Sequence, residues 1–233
     1  ILKHGHKDKN NLNSTIALYL YGRSLFLKDQ KIKPNAQEAV DYFLGQASEH
    51  WLKVGNRQSE GHIALALKRF GKHEKTPVAI MRSLKERSVT DEEMGMFWRD
   101  VEFSRWWYRA PIETQAVMIE AFDEVMNDQK SVEDCKVWML KQKQTQDWKT
   151  TKATADAVYA LLLRGSDLLA SDELVKVSLA DMAPIKPENV EAGTGFYEKR
   201  FVGPEIKPDF GKVTVTKVDE GVAWGSVHWQ YME

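Results

Sequence analysis

Six histidines and a single cysteine are the side chains of this 233-residue sequence best suited to metal or nucleophilic chemistry. Their spacing limits what they can do. His4-Gly5-His6 followed by Asp8 places imidazole and carboxylate ligands close together, but in a hydrophilic end with nothing to fix a coordination geometry, so a frayed terminus is the plainer reading. His50, His62, His73 and His228 stand singly, and none has the histidine four residues away that a helical metalloprotease site needs. Cys135 precedes Lys136 on an expected helix, where the ammonium could lower the thiol pKa. No His/Asn set accompanies it, and a half-buried helix position is expected.

The acid pairs Glu92-Glu93 and Glu133-Asp134 lie beside turns or helix starts, where carboxylates complement the helix dipole. No Gly-rich phosphate loop, Gly-x-Ser-x-Gly elbow or nucleotide fingerprint occurs. Accordingly no residue is assigned as catalytic, cofactor-binding or metal-ligating, and no cofactor is expected. Trp98, Trp106, Trp107 and Tyr108, with Arg99, Arg105 and Arg109, could stack on sugars, bases or a partner protein. A packed loop explains the same aromatics.

The elements that must position these groups are helical up to Gly165. Apolar residues at Leu12, Ile16, Leu20 and Phe26 give a first helix within Asn11–Lys28, and Ala39, Tyr42, Phe43, Ala47, Trp51 and Leu52 give a second after Pro34. Ser59–Phe70 stops at Gly71, and Thr76-Pro77 reads as an N-cap with proline at the first helical position. Ser88–Arg109 breaks the rhythm with a polar Thr-Asp-Glu-Glu stretch and aromatics, an inserted loop that packs. Pro111 starts a fifth helix, Ser131-Val132-Glu133-Asp134 resembles a capping box for a sixth, and Thr150-Thr151 opens a seventh that ends at Gly165. On that last helix Ala157, Val158, Leu161 and Leu162 should form one buried stripe against Val137 and Leu140. Hairpins at roughly 40 to 50 residues suggest an α/α array.

Beyond Gly165 the pattern is β. Leu174–Leu179 and Lys212–Thr216 bunch or alternate β-branched residues, and Val222–Tyr231 alternates. With prolines and glycines between them, they suggest a small β-sandwich or part of one. The expected division is therefore 1–165, α/α hairpins, and 166–233, β-rich.

Composition excludes some partners. Lys plus Arg (33) nearly cancels Asp plus Glu (34), so no field of one sign draws the chain to nucleic acid or an anionic membrane. No apolar run reaches the roughly 18 residues of a membrane span, and membrane contact is not expected. A start at Ile1 rather than Met is read as a chain cut from a longer parent. One cysteine, among 42% hydrophobic residues with eight tryptophans, leaves folding to a packed core and forbids an internal disulfide.

Ala110-Pro111-Ile112-Glu113-Thr114-Gln115-Ala116, then Trp138-Met139-Leu140-Lys141-Gln142-Lys143-Gln144, then Trp148 through Leu162 with its Lys-Thr-Thr-Lys-Ala-Thr-Ala-Asp-Ala run, resemble the last hairpins of the thioester domain of the alpha-2-macroglobulin family. Gly211–Thr216 and Val222–Tyr231 resemble the β-rich stretch that follows it in bacterial members. The resemblance implies a mainly α chain, an incomplete α/α toroid of the terpenoid-cyclase type, followed by a β-sandwich-like, macroglobulin/CUB-like segment. It implies a place in a protease-trapping inhibitor of the bacterial cell envelope, periplasmic or extracellular. Its partners would be proteases, met through the full-length parent, and other domains of the same chain. Family members that acylate their targets carry a Cys-x-Glu-Gln thioester; Cys135-Lys136-Val137-Trp138 lacks both partner residues, so this chemistry is not carried over and a non-catalytic role is expected. The rival reading is an α/α-toroid enzyme, carbohydrate-active or cyclase-like, with its acids in the cavity.

Overall fold

Short polar side chains start several of the helices by accepting a backbone N–H that the first turn leaves without a partner. Asn13 Oδ1 accepts from Ile16 N at 3.0 Å, Asn56 Oδ1 from Ser59 N at 2.9 Å, and Thr150 Oγ1 from Ala153 N at 3.0 Å. The computed structural model describes residues 6–101, 106–107, 109–145, 147–164, 173–190, 196–218 and 225–230. The chain divides into two units, Ile1–Gly165 and Ser166–Glu233.

Among the described residues the first unit holds seven α-helices: α1 (Ser14–Ser24), α2 (Pro34–His50), α3 (Arg57–Phe70), α4 (Lys75–Glu86), α5 (Pro111–Ala121), α6 (Gln129–Thr145) and α7 (Thr151–Leu163). Proline sits at the start of α2 and of α5, where its missing N–H costs nothing. α3 ends at Gly71, whose φ of 62° lets the chain turn back, with Lys72 N donating to Leu67 O at 3.1 Å. α5 runs on into a π-helical turn, Phe122–Met126, closed by Asn127 in the left-handed region.

Three helix starts differ from the sequence expectation. α3 begins at Arg57, two residues before the expected Ser59, because Asn56 caps it. α4 begins at Lys75 without a side-chain cap, and Thr76 instead shares a hydrogen bond with Ser48 at 3.0 Å. For α6 the carboxylate of Asp128 accepts from both the Ser131 N–H (3.2 Å) and its hydroxyl (2.8 Å), so the cap lies upstream of the expected box.

The segment expected as an inserted loop contains a hairpin. β1 (Val89–Asp91) pairs antiparallel with β2 (Gly95–Phe97). Its turn is built by Asp91, whose Oδ1 accepts from the backbone N–H of Glu93 and Met94. Gly95 is required twice over: its φ is 74°, and a Cβ there would lie 2.1 Å from the Asp134 carbonyl oxygen of α6.

Packing separates the helices into two sets. The odd-numbered helices lie side by side in chain order, α1 on α3, α3 on α5 and α5 on α7, while α4 packs on α3 and α6 on α5. Gln58–Leu67 of α3 and Ile112–Ala121 of α5 are buried at every position, as interior helices must be. A Cβ on Gly61 would approach Val117 Cγ1 to 2.7 Å, which measures how closely these two helices meet. The core includes Leu20, Leu44, Ile63, Leu67, Ile80, Leu84, Met118, Phe122 and Met139.

The buried stripe expected on α7 is half right. Ala157 and Leu161 are buried, but Val158 and Leu162 are 43% and 37% exposed. α7 leans on α5 rather than chiefly on the α6 surface around Val137 and Leu140, and Val137 is itself exposed. Three- and four-residue spacing says which residues share a side, not which neighbour that side meets.

In the second unit β3 (Lys176–Leu179) pairs antiparallel with β4 (Val213–Thr216), Leu179 opposite Val213 and Lys176 opposite Thr216. Phe201 meets Phe210 edge to face at 5.3 Å, and Tyr197 donates its hydroxyl to Val175 O at 2.9 Å. Two of the expected strands are therefore present. The third is not: in its described part, 225–230, no strand forms and Val227 and Trp229 are exposed, while the rest of Val222–Tyr231 lies outside the described residues. A two-stranded ladder, not a sandwich, is what those residues show.

Candidate functional site

Three acids fall on one side of the C-terminal end of α5 and its π turn: Glu120, Asp123 and Glu124. Carboxylates there oppose the helix dipole, so their presence requires cations. Arg69, in the last turn of α3, donates to Glu120 Oε1 at 2.7 Å and, through Nε and Nη2, to both oxygens of Glu124 at 2.8 and 2.7 Å. Arg164, just after α7, donates to Glu120 Oε1 at 2.7 Å and lies 3.7 Å from Asp123 and 3.5 Å from Glu124.

Two phenols complete the cluster. Tyr21 of α1 donates to Glu120 Oε2 at 2.5 Å, and Tyr159 of α7 to Oε1 at 3.0 Å. The Tyr21 ring stacks on buried His62 with centroids 4.6 Å apart, and the Arg69 guanidinium lies 5.4 Å from the Tyr21 ring centroid. Residues from the C-terminal halves of all four odd helices thus meet at one carboxylate.

The chemistry of this cluster is that of a fixed ion network. Burial pushes the Glu120 carboxyl up, but the Tyr21 hydrogen bond and the Arg69 and Arg164 guanidiniums outweigh it and hold it below the usual range. Such a carboxylate is a poor general acid at neutral pH. Burial, with Glu120 nearby, raises both phenols and keeps them protonated donors. Burial drives the His62 imidazole down to about 3, so it is neutral at ordinary pH. A second buried carboxylate, Glu60, faces Arg87 at 2.5 Å, and burial raises it.

The remaining sequence candidates are scattered. No group of three or more potential ligands that could hold a metal occurs among the described residues; His6 and Asp8 are exposed, and His4 lies outside those residues. Cys135 is completely buried rather than half-buried, and burial raises its thiol well above the normal value, the reverse of activation. Lys136 lies 3.4 Å from the Glu133 carboxylate. The aromatic cluster does not act as a unit: Trp98 is core, with its indole N–H donating to Leu84 O at 2.9 Å, whereas Trp106 and Trp107 are exposed. Arg109 donates to Gly55 O at 3.0 Å, Arg99 is exposed, and Arg105 and Tyr108 lie outside the described residues. Glu92 and Glu93 are exposed in the hairpin turn, and Asp134 pairs with Lys130 at 2.7 Å.

Sequence reasoning missed the Glu120 network, although a signal was present. Glu120, His62 and Arg69 interrupt otherwise apolar helix segments, and buried charges must find partners.

The edges of the odd-helix row are the other notable surfaces. On α1 and the turn after it, Thr15, Leu18, Tyr19, Leu25 and Phe26 point away from α3 and are exposed. On α7, Thr151, Thr154, Ala155, Val158 and Leu162 point away from α5 and are exposed. The exposed stripe on α1 itself holds no charged residue, whereas α7 also exposes Lys152, which pairs with Asp156 one turn further on. An open groove of about 730 Å³ runs along the α7 face, bordered by Lys143, Trp148, Lys149 and Tyr159. No helix among the described residues is long and apolar enough to cross a membrane.

Compared with family models, with curated proteins and with solved structures, the chain matches none.

Proposed function

We propose that this chain is a non-catalytic structural and interaction module of an alpha-2-macroglobulin-like protein, part of a protease-trapping inhibitor of the bacterial cell envelope. Its helical unit would be a section of an α/α toroid of the terpenoid-cyclase type, and its second unit the β-rich segment that follows. The observation that carries this reading is the exposure of apolar side chains on the outer sides of α1 (Leu18, Tyr19) and α7 (Val158, Leu162), at the two ends of a row of odd-numbered helices with even-numbered helices packed against it. Exposed apolar stripes at both ends of an array are expected where further hairpins stack, because each repeat buries its face only against a neighbour. The motifs around Glu113-Thr114-Gln115 and Lys149-Thr150-Thr151 support the family.

The pairing of the Glu120 cluster supports the non-catalytic reading. In the rival enzyme reading the acids of the helical row would include a general acid, but Glu120 is held ionised between two arginines and Glu124 is paired with both of them. Cys135 has neither the thioester partners nor access to a target.

The test uses the parent protein. Incubated with an endopeptidase, the parent should be cut at an exposed segment outside this chain and then slow that protease's attack on a protein substrate. The isolated chain should do neither. A parent that is neither cut at such a segment nor inhibitory would overturn the assignment, as would hydrolysis of a polysaccharide by the isolated chain.

A further inference from the structure

Glu120 connects helices that are not neighbours in the row. Its Oε2 accepts from Tyr21 of α1, at one edge, and its Oε1 from Tyr159 of α7, at the other, while Arg69 of α3 and Arg164 after α7 donate to the same Oε1. We propose that Glu120 is a positioning residue whose carboxylate fixes the angle between the two edge helices, and with it the spacing of the outer faces on α1 and α7. This concerns the chain's own four odd-numbered helices and stands whether or not the family reading holds.

The donors suit that task because they are stiff. A tyrosine has two side-chain torsions, and Tyr21 is further held by the His62 ring stacked at 4.6 Å and the Arg69 guanidinium at 5.4 Å. Arg164 lies 5.7 Å over the Tyr159 ring and accepts no freedom from it, since it also donates to that hydroxyl's partner. A shift of either edge helix therefore reaches the carboxylate instead of being absorbed by side-chain rotation. Glu120 itself is fully enclosed on α5, the residue before the final position of that helix and two before the π turn. Charge-assisted bonds to a buried carboxylate are directional and short, so one acceptor can set several helices at once.

Spin labels on Leu18→Cys and Val158→Cys, one on each outer face and in a Cys135→Ala background, report the edge-to-edge distance by pulsed electron resonance in the full chain. Glu120→Gln, which keeps the size and removes the charge, should shift and broaden that distribution. Met139→Ala, a cavity in α6, should leave it in place. Tyr21→Phe and Tyr159→Phe each remove one hydroxyl and should each broaden the distribution, which decides the matter even where Glu120→Gln does not fold. An unchanged distribution in folded Glu120→Gln, or in both tyrosine variants, overturns the proposal. So does equal broadening by Met139→Ala, which would reduce the effect to general loosening.

Discussion

His62 makes the stability of this protein depend on acid in a definable window. Its folded-state pKa, near 3, lies below the ordinary 6.5 because burial disfavours the imidazolium, with Lys152 adding to the effect and Glu120 opposing it. The unfolded chain therefore binds a proton that the folded chain refuses. Stability is fully present above pH 6.5 and is lost as pH falls toward 3, by at most about 1.4 kcal/mol per pH unit. Glu120, depressed in the fold, adds a loss in the same direction only below the usual carboxylate range. Glu60, raised by burial, acts in the opposite sense. Urea midpoints measured from pH 7 to pH 5 should thus fall in the wild type and fall less in His62→Phe; an identical slope in the two would remove His62 as the cause. Cys135 gives a second check at this scale. Iodoacetamide should leave the native thiol unmodified and label it once in denaturant, because its access requires unfolding. Fast labelling of the native chain would contradict its burial.

At the scale of elements, the two sides of α7 should respond differently to truncation. Leu161 is 6% exposed against α5, and Leu161→Ala should cost roughly 2 to 5 kcal/mol through lost burial and a cavity. Val158→Ala, on the outer face, should cost under about 1 kcal/mol in the isolated chain. Thermal unfolding of the pair measures the contrast, and equal losses would mean that the outer face is covered. The hairpin has its own weak point. Gly95→Ala forces a Cβ into the α6 backbone at a positive φ and should destabilise by roughly 2 to 4 kcal/mol. A neutral Gly95→Ala would show that β2 does not seat on α6.

For the whole molecule, the two units should differ in protection. Lys199 and Arg200 are exposed in a stretch without regular structure, whereas Arg69 is tied into the ion network of the helical unit. Limited trypsin digestion should cut after Lys199 or Arg200 before it cuts after Arg69, because cleavage needs locally unfolded backbone. The large product should keep its helical circular dichroism. Cleavage at Arg69 first would mean that the network does not hold the row together. Methylamine should add no mass to the chain and release no thiol, since Cys135 has no glutamine partner at thioester spacing; a stoichiometric adduct would refute that.

The sequence by itself determined the helices and two of the strands. Caps such as Thr150, breakers such as Gly71 and Pro111, and apolar spacing act over a few residues, so the seven helices and the β3 and β4 segments could be read locally. The absence of thioester partners beside Cys135 was equally legible. Only the tertiary structure decided which neighbour each face meets. Val158 and Leu162 share a side of α7 that points away from α5, and Trp98 left its aromatic neighbours for the core. The Glu120 network joins residues up to 99 positions apart, and no local rule pairs Tyr21 with Glu120 or Arg69 with Glu124. Buried charge needs a partner wherever the chain can bring one, and that choice belongs to the packing of four helices rather than to the residues adjoining Glu120 in sequence.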